Sequence, residues 1–163
     1  MEDVVTLRGR DLPLRRGGSR ASGTLSWSWA WGPVLGWAAL IFALSSLPGG
    51  VVAVEIPGVD KLAHAGVFGV LALVILRALG GVTRWSAARC VVCAIACVAV
   101  YGALDELHQW ITPQRSVELL DVGADVAGGA VAAALWLIHR RIVRGHIDAR
   151  GAHRAIRGQS DDS

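Results

Sequence analysis

No charged residue stands between Arg89 and Asp105. The run that fills this gap, CVVCAIACVAVYGAL, is too apolar for the surface of a water-soluble domain. In hydrocarbon every backbone N–H and C=O must find its partner within the protein, so a stretch of this kind reads as a membrane helix. Three other segments read the same way. The spans run from about Trp27 to Leu47, Leu62 to Leu79, Ala87 to Leu104 and Val122 to Ile138. Each holds roughly 17–21 residues, about 26–31 Å of helix, which matches a bilayer core. Composition agrees: 53% of the chain is hydrophobic and 18% charged, where soluble domains carry about a quarter charged residues. The fold class expected is all-α, a polytopic membrane four-helix bundle.

Charge placement sets the topology. Arg8, Arg10, Arg15, Arg16 and Arg20 crowd one end of the chain, and Arg140, Arg141, Arg144, Arg150, Arg154 and Arg157 crowd the other. Arg77, Arg84 and Arg89 surround the turn near Gly80–Ser86, which has no acid. By the positive-inside rule all three regions belong in the cytoplasm, giving an N-in/C-in arrangement. The loops near 48–61 and 105–121 carry mostly acids and belong outside. Residues 1–26 are then a basic, disordered cytoplasmic tail, 27–140 the membrane domain, and 141–163 a second basic tail after a short helical continuation. Trp27, Trp29 and Trp31 anchor the first span at the interface. A signal peptide is the alternative for that span, but three more spans follow it. Basic tails can also contact nucleic acid; tails that flank apolar spans are better explained by orientation, so no nucleic-acid partner is expected.

Cys90, Cys93 and Cys97 share one helix face by their i, i+3, i+7 spacing. No His or acid in the run completes a zinc set, so they are assigned to packing. An odd count also argues against a disulfide framework.

The topology gathers the polar residues on the outer side. Ser45 and Ser46 close the first span, where they can satisfy helix-end carbonyls. Asp60, Lys61 and His64 open the second on one face. Tyr101, Asp105, Glu106, His108 and Gln109 close the third, and Asp121 and Asp125 open the fourth on the same face as Gly128. Glu106 points roughly 100° away from Asp105 and so toward a different neighbour. Each has a plain role available: Asp60 and Asp121 as helix-dipole partners, Lys61 as a snorkelling cation, His64 as a core histidine, His108 as a surface residue. Together they fit dipole compensation poorly. Ionisable groups at membrane depth point to a functional site. Gly66, Gly69, Gly128 and Gly129 are assigned to close helix packing.

These residues resemble the VanZ-like membrane family. The matching pieces are Ser45-Ser46-x-Pro48, Asp60-Lys61-x-x-His64, Tyr101-Gly102-x-x-Asp105-Glu106-x-x-Gln109, Pro113-x-Arg115, Asp121 and Gly128, in this order between these spans. The resemblance covers about residues 35–138. Two positions depart from it: Asp125 stands where Asn is common, and Ala65 where an aromatic residue is common. The family takes its name from a protein of glycopeptide-resistance clusters that confers low-level teicoplanin resistance. The resemblance implies a multi-pass protein of the bacterial cell membrane and envelope.

Three functions are compatible with the outer cluster. The first is binding of an envelope component, a cell-wall precursor or a glycopeptide, through Asp60, Lys61, His64, Tyr101, Asp105, Glu106, Gln109, Arg115, Asp121 and Asp125. The outer acids Glu55, Asp60, Asp105, Glu106, Glu118, Asp121 and Asp125 against Lys61 and Arg115 favour an amine, a cationic glycopeptide or a metal ion over a bare anion. Alternatively the acids pair with Lys61 and Arg115, and Arg115 is oriented toward a lipid-linked phosphate, which its planar fork suits. The second is an intramembrane hydrolase or transferase, with His64, Asp105 and Asp121 as catalytic candidates. His64, Glu106 and Asp125 can also hold a divalent cation, although no metal or cofactor is assigned and no HExxH or Gly-x-Ser-x-Gly pattern occurs. The third is a latch, with Asp105 pairing Lys61 or Arg115. A bundle this small also leaves room for a homo-oligomer in the lipid bilayer.

Overall fold

A computed structural model describes residues 27–48, 58–113, 115 and 118–160. It shows four helices and, among the described residues, no strand: α1 Trp27–Ser45, α2 Val59–Val82, α3 Ala87–Trp110 and α4 Leu119–Ser160. All four are long and apolar enough to cross a membrane; in α4 the qualifying stretch is Leu119–His146. The expected tail at 1–26, the loop acid Glu55 and the last three residues lie outside the described residues.

Helix ends differ from the sequence expectation in three places. α2 runs through Gly80-Gly81 to Val82. Glycine is a poor helix former, but Gly80 lies beside the Trp136 ring of α4, which a Cβ there would meet at an ordinary contact distance of 3.4 Å. Packing against α4 overrides propensity. α3 continues past Leu104 to Trp110, so Asp105 and Glu106 are helical residues rather than loop residues. α4 extends through the basic segment to Ser160. The starts follow local chemistry. α2 begins after Gly58, whose φ of 83° suits glycine. α3 is capped by Ser86, whose Oγ accepts the Arg89 N–H at 3.3 Å.

α1 contains Pro33, which has no N–H for the Trp29 carbonyl one turn back. The Arg77 guanidinium of α2 donates to that carbonyl at 3.4 Å. A side chain therefore supplies the bond that proline removes, and Arg77 ties two helices as well as sitting near the interface.

α2 is the central helix. It packs on all three others, most extensively on α4, whereas α1 and α4 do not meet. The core is built mainly from α2, with Phe68, Leu71, Ala72, Ile75 and Leu76 all buried. The outward flanks are apolar instead of polar: Leu35, Val92 and Val131 are 68%, 69% and 61% exposed. Such flanks suit lipid, which offers little hydrophobic drive for helix association, so shape must hold the bundle. The α2–α4 crossing shows how. A Cβ on Gly128 would collide with the Ala65 backbone carbonyl, and one on Gly69 would lie 3.2 Å from the Gly128 carbonyl oxygen. Interhelical bonds add less. Trp37 Nε1 donates to the Val67 carbonyl at 2.9 Å and Tyr101 Oη to the Ala38 carbonyl at 2.7 Å. Bonds of this kind contribute about 0.6 kcal/mol each in membrane bundles.

The cysteines divide along α3: Cys90 is buried, Cys93 half-buried and Cys97 exposed. The packing assignment therefore holds fully only for Cys90. The true buried face runs Cys90, Ala94, Val98, Gly102, Asp105, Glu106, Gln109, turning from apolar to polar along a single stripe.

Candidate functional site

The end of α1, the start of α2, the end of α3 and the start of α4 lie at one end of the bundle. Arg77, Arg84, Arg89 and Arg140 belong to the opposite end. The helix register fixes what each element contributes to the polar end. Asp60, Lys61 and His64 lie within the first two turns of α2, while Asp121 and Asp125 are one turn apart on α4.

Lys61 is the centre of the outermost layer. Its Nζ donates to Asp121 Oδ1 at 2.5 Å, Glu118 Oε2 at 2.6 Å and Asp60 Oδ2 at 3.0 Å. Three carboxylates thus close on one ammonium, whose three N–H donors they match. Glu118 precedes α4, and this partner carried no periodic signal in the sequence. The latch expected between Asp105 and Lys61 or Arg115 is therefore drawn differently: Lys61 joins α2 to Glu118 and Asp121, while Asp105 accepts from Gln109 Nε2 on its own helix at 3.0 Å.

His64 forms the next layer inward. Its Nδ1 lies 3.0 Å from Asp125 Oδ1, and its Nε2 lies 3.8 Å from Asp121 Oδ2. An ionised Asp125 can only accept, so Nδ1 carries a proton, and Nε2 faces Asp121. Asp125 is fully buried. Its Oδ2 rests against Gly102 of α3, where even a Cβ would approach it at 2.5 Å. Gly102 therefore makes room for the carboxylate that orients His64. Glu106, 3% exposed, faces α4 as its phase implied. Its Oε2 accepts the Glu118 backbone N–H at 2.8 Å. Its Oε1 and Asp125 Oδ2 are buried with no hydrogen-bond partner among the described residues.

Beside this wall, a cleft of about 230 Å3 opens between α1, α2 and α3. Its apolar lining is Ile41, Leu44, Val59, Ala63, Val67 and Phe68. Its polar lining is Ser45, Asp60, His64, Asp105, Gln109 and Arg115. Arg115 Nε donates to the Leu47 carbonyl at 3.3 Å. Among the described residues it makes no ion pair, whereas Lys61 makes three.

Two anticipated residues stand apart. The Tyr101 hydroxyl is spent on Ala38 of α1 and its ring packs 6.0 Å from Phe68, below the polar groups. His108 sits on the α1–α3 seam, with Nε2 3.0 Å from Ser46 Oγ and its ring 4.5 Å from Phe42. Ser46 Oγ also donates to the Phe42 carbonyl at 2.7 Å, the helix-end role expected of it. The apolar half of the cleft had no signal in the sequence, because Ile41 or Val67 looks like any other residue of a membrane helix.

The family model described as VanZ/LLP1 matches residues 20–140. No curated protein and no solved structure gives a significant match.

Proposed function

The chain belongs to the VanZ/LLP1 family, and we propose that this multi-pass membrane protein binds a lipid-linked anionic headgroup of the bacterial cell envelope in the cleft between α1, α2 and α3. The observation that carries this reading is a cleft lining that combines apolar side chains with Arg115, which makes no ion pair among the described residues. A lipid chain suits the apolar side chains and a phosphate the guanidinium fork, which can bind it bidentately. At about 230 Å3 the cleft is smaller than the 300–1,000 Å3 typical of small-molecule sites. It holds a headgroup and the adjoining part of a chain, not a whole glycopeptide. The arginines at the opposite end support an outward-facing cleft.

The test is binding of undecaprenyl phosphate and of the phosphate-free alcohol to detergent-purified protein. The phosphate should bind at least tenfold more tightly, and Arg115→Ala should erase that preference, about 1.4 kcal/mol. Equal affinities for the two lipids would end the reading. Tight binding of teicoplanin, with neither lipid bound, would move it to the antibiotic itself.

A second reading is chemistry at the same headgroup. The buried Asp125–His64 pair supports it, since a carboxylate that fixes one imidazole nitrogen leaves the other positioned as a base. Turnover of an undecaprenyl-linked headgroup that is lost in His64→Gln would establish an enzyme.

A further inference from the structure

We propose that the polar end holds one divalent transition-metal ion between His64 Nε2, Glu106 and Asp121. Candidate ligand atoms of these three residues all lie within 4.8 Å of one another. They come from three helices, α2, α3 and α4. The 3.8 Å between His64 Nε2 and Asp121 Oδ2 is too long for a hydrogen bond. It is shorter than twice a metal–ligand bond of about 2.1 Å, so one ion can touch both atoms. A pair at the full 4.8 Å needs to close by about 0.6 Å to meet the same limit.

The independent sign of a ligand is Glu106. It is 3% exposed, and its Oε1 has no partner among the described residues. A buried unpaired carboxylate oxygen is costly, and a bound cation would compensate it. Charge gives the same answer. At the polar end the described carboxylates of Asp60, Asp105, Glu106, Glu118, Asp121 and Asp125 face only Lys61 and Arg115, six against two, a net of −4 with His64 neutral.

A second acidic group, Asp60, Glu118 and Asp121, has the same kind of spacing. It carries no such proposal, because the Lys61 ammonium already lies at its centre. Asp121 serves both: Oδ1 goes to Lys61 and Oδ2 faces His64. Asp125 is not a ligand in this arrangement. It holds Nδ1 of His64, the position a carboxylate takes behind a metal-bound imidazole. The cation set anticipated from sequence, His64 with Glu106 and Asp125, thus exchanges Asp125 for Asp121. One imidazole with two carboxylates suits Zn2+ or Mn2+ better than Ca2+ or Mg2+, which prefer oxygen alone.

The experiment is titration of the tag-free, detergent-purified full chain with Zn2+ and separately with Mn2+ after EDTA treatment. One equivalent should bind, and zinc-edge X-ray absorption of the wild type should show one imidazole nitrogen with oxygen ligands. Glu106→Gln and Asp121→Asn should each weaken binding about 100-fold. Asp125→Asn should weaken it about tenfold, as loss of an imidazole-orienting partner does. Asp60→Asn should stay within twofold. The inference is overturned by the absence of saturable binding at millimolar Zn2+. It is equally overturned by sulfur ligands from the cysteines, or by equal losses in Asp60→Asn and Glu106→Gln. The inference does not rest on lipid binding: Arg115→Ala should leave metal affinity unchanged, so the two readings fail separately.

Discussion

Two groups of acids share Asp121 and are otherwise opposites. Around Lys61, Asp60 and Glu118 are exposed, each acid has an N–H to accept, and the cation is part of the chain. Around His64, one layer deeper, Glu106 and Asp125 are buried, each has one oxygen without a partner among the described residues, and the neighbouring base is neutral when Nδ1 alone is protonated. The first arrangement is finished and belongs to the scaffold. The second is unfinished, and unfinished polar groups at membrane depth are where function is sought. Proximity of carboxylates is common to both; what separates them is whether the protein itself satisfies them.

The strongest way to break the contrast is to move the helix that bears both groups. Gly128→Ala drives a methyl into the Ala65 backbone and should lower stability by about 3 kcal/mol, measured by unfolding in mixed micelles. Unchanged stability would mean that α2 and α4 are not spaced by this contact. Lys61→Met disrupts the outer group alone. A fully buried pair broken on one side loses about 3–5 kcal/mol; with Lys61 side-chain exposure at 27%, about 1–2 kcal/mol is expected. Adding Asp121→Asn should restore part of the loss. No loss in the single variant would remove Lys61 from the scaffold. Glu106→Gln sharpens the contrast with the smallest effect. In EDTA-treated protein it removes a buried charge yet keeps an acceptor for the Glu118 N–H, so stability should rise by up to about 1 kcal/mol. A loss larger than that of Lys61→Met would show the two groups to be alike.

The fold was legible because its dominant signal is solvent. Charge-free runs of membrane length leave few alternatives, and the acids and arginines sort by end. Helix limits were harder to read. Gly80-Gly81 is a stop by propensity, but α2 runs through it where Gly80 packs beside Trp136, more than fifty positions later. The site was legible one helix at a time. Spacing put Asp60, Lys61 and His64 together, and the 100° step separated Glu106 from Asp105 correctly. Spacing does not contain the rotation or depth of one helix against another. For that reason the Lys61–Glu118 pair, the Gly102 recess for Asp125 and the apolar half of the cleft were invisible. Tyr101 shows the same limit. It is one turn from Asp105 in phase, yet its hydroxyl is turned to Ala38.

Arg77 and Pro33 bear on how the protein is made. The Trp29 carbonyl in α1 lacks its helical donor until a side chain 48 residues later arrives. A ribosome delivers α1 first, so this helix meets the membrane with an incomplete backbone and is completed only when α2 follows. Trp29 belongs to the tryptophan anchor at the interface, where water can serve the carbonyl until α2 arrives. The pairing of α1 with α2 then exchanges that water for Arg77, a donor from the chain itself.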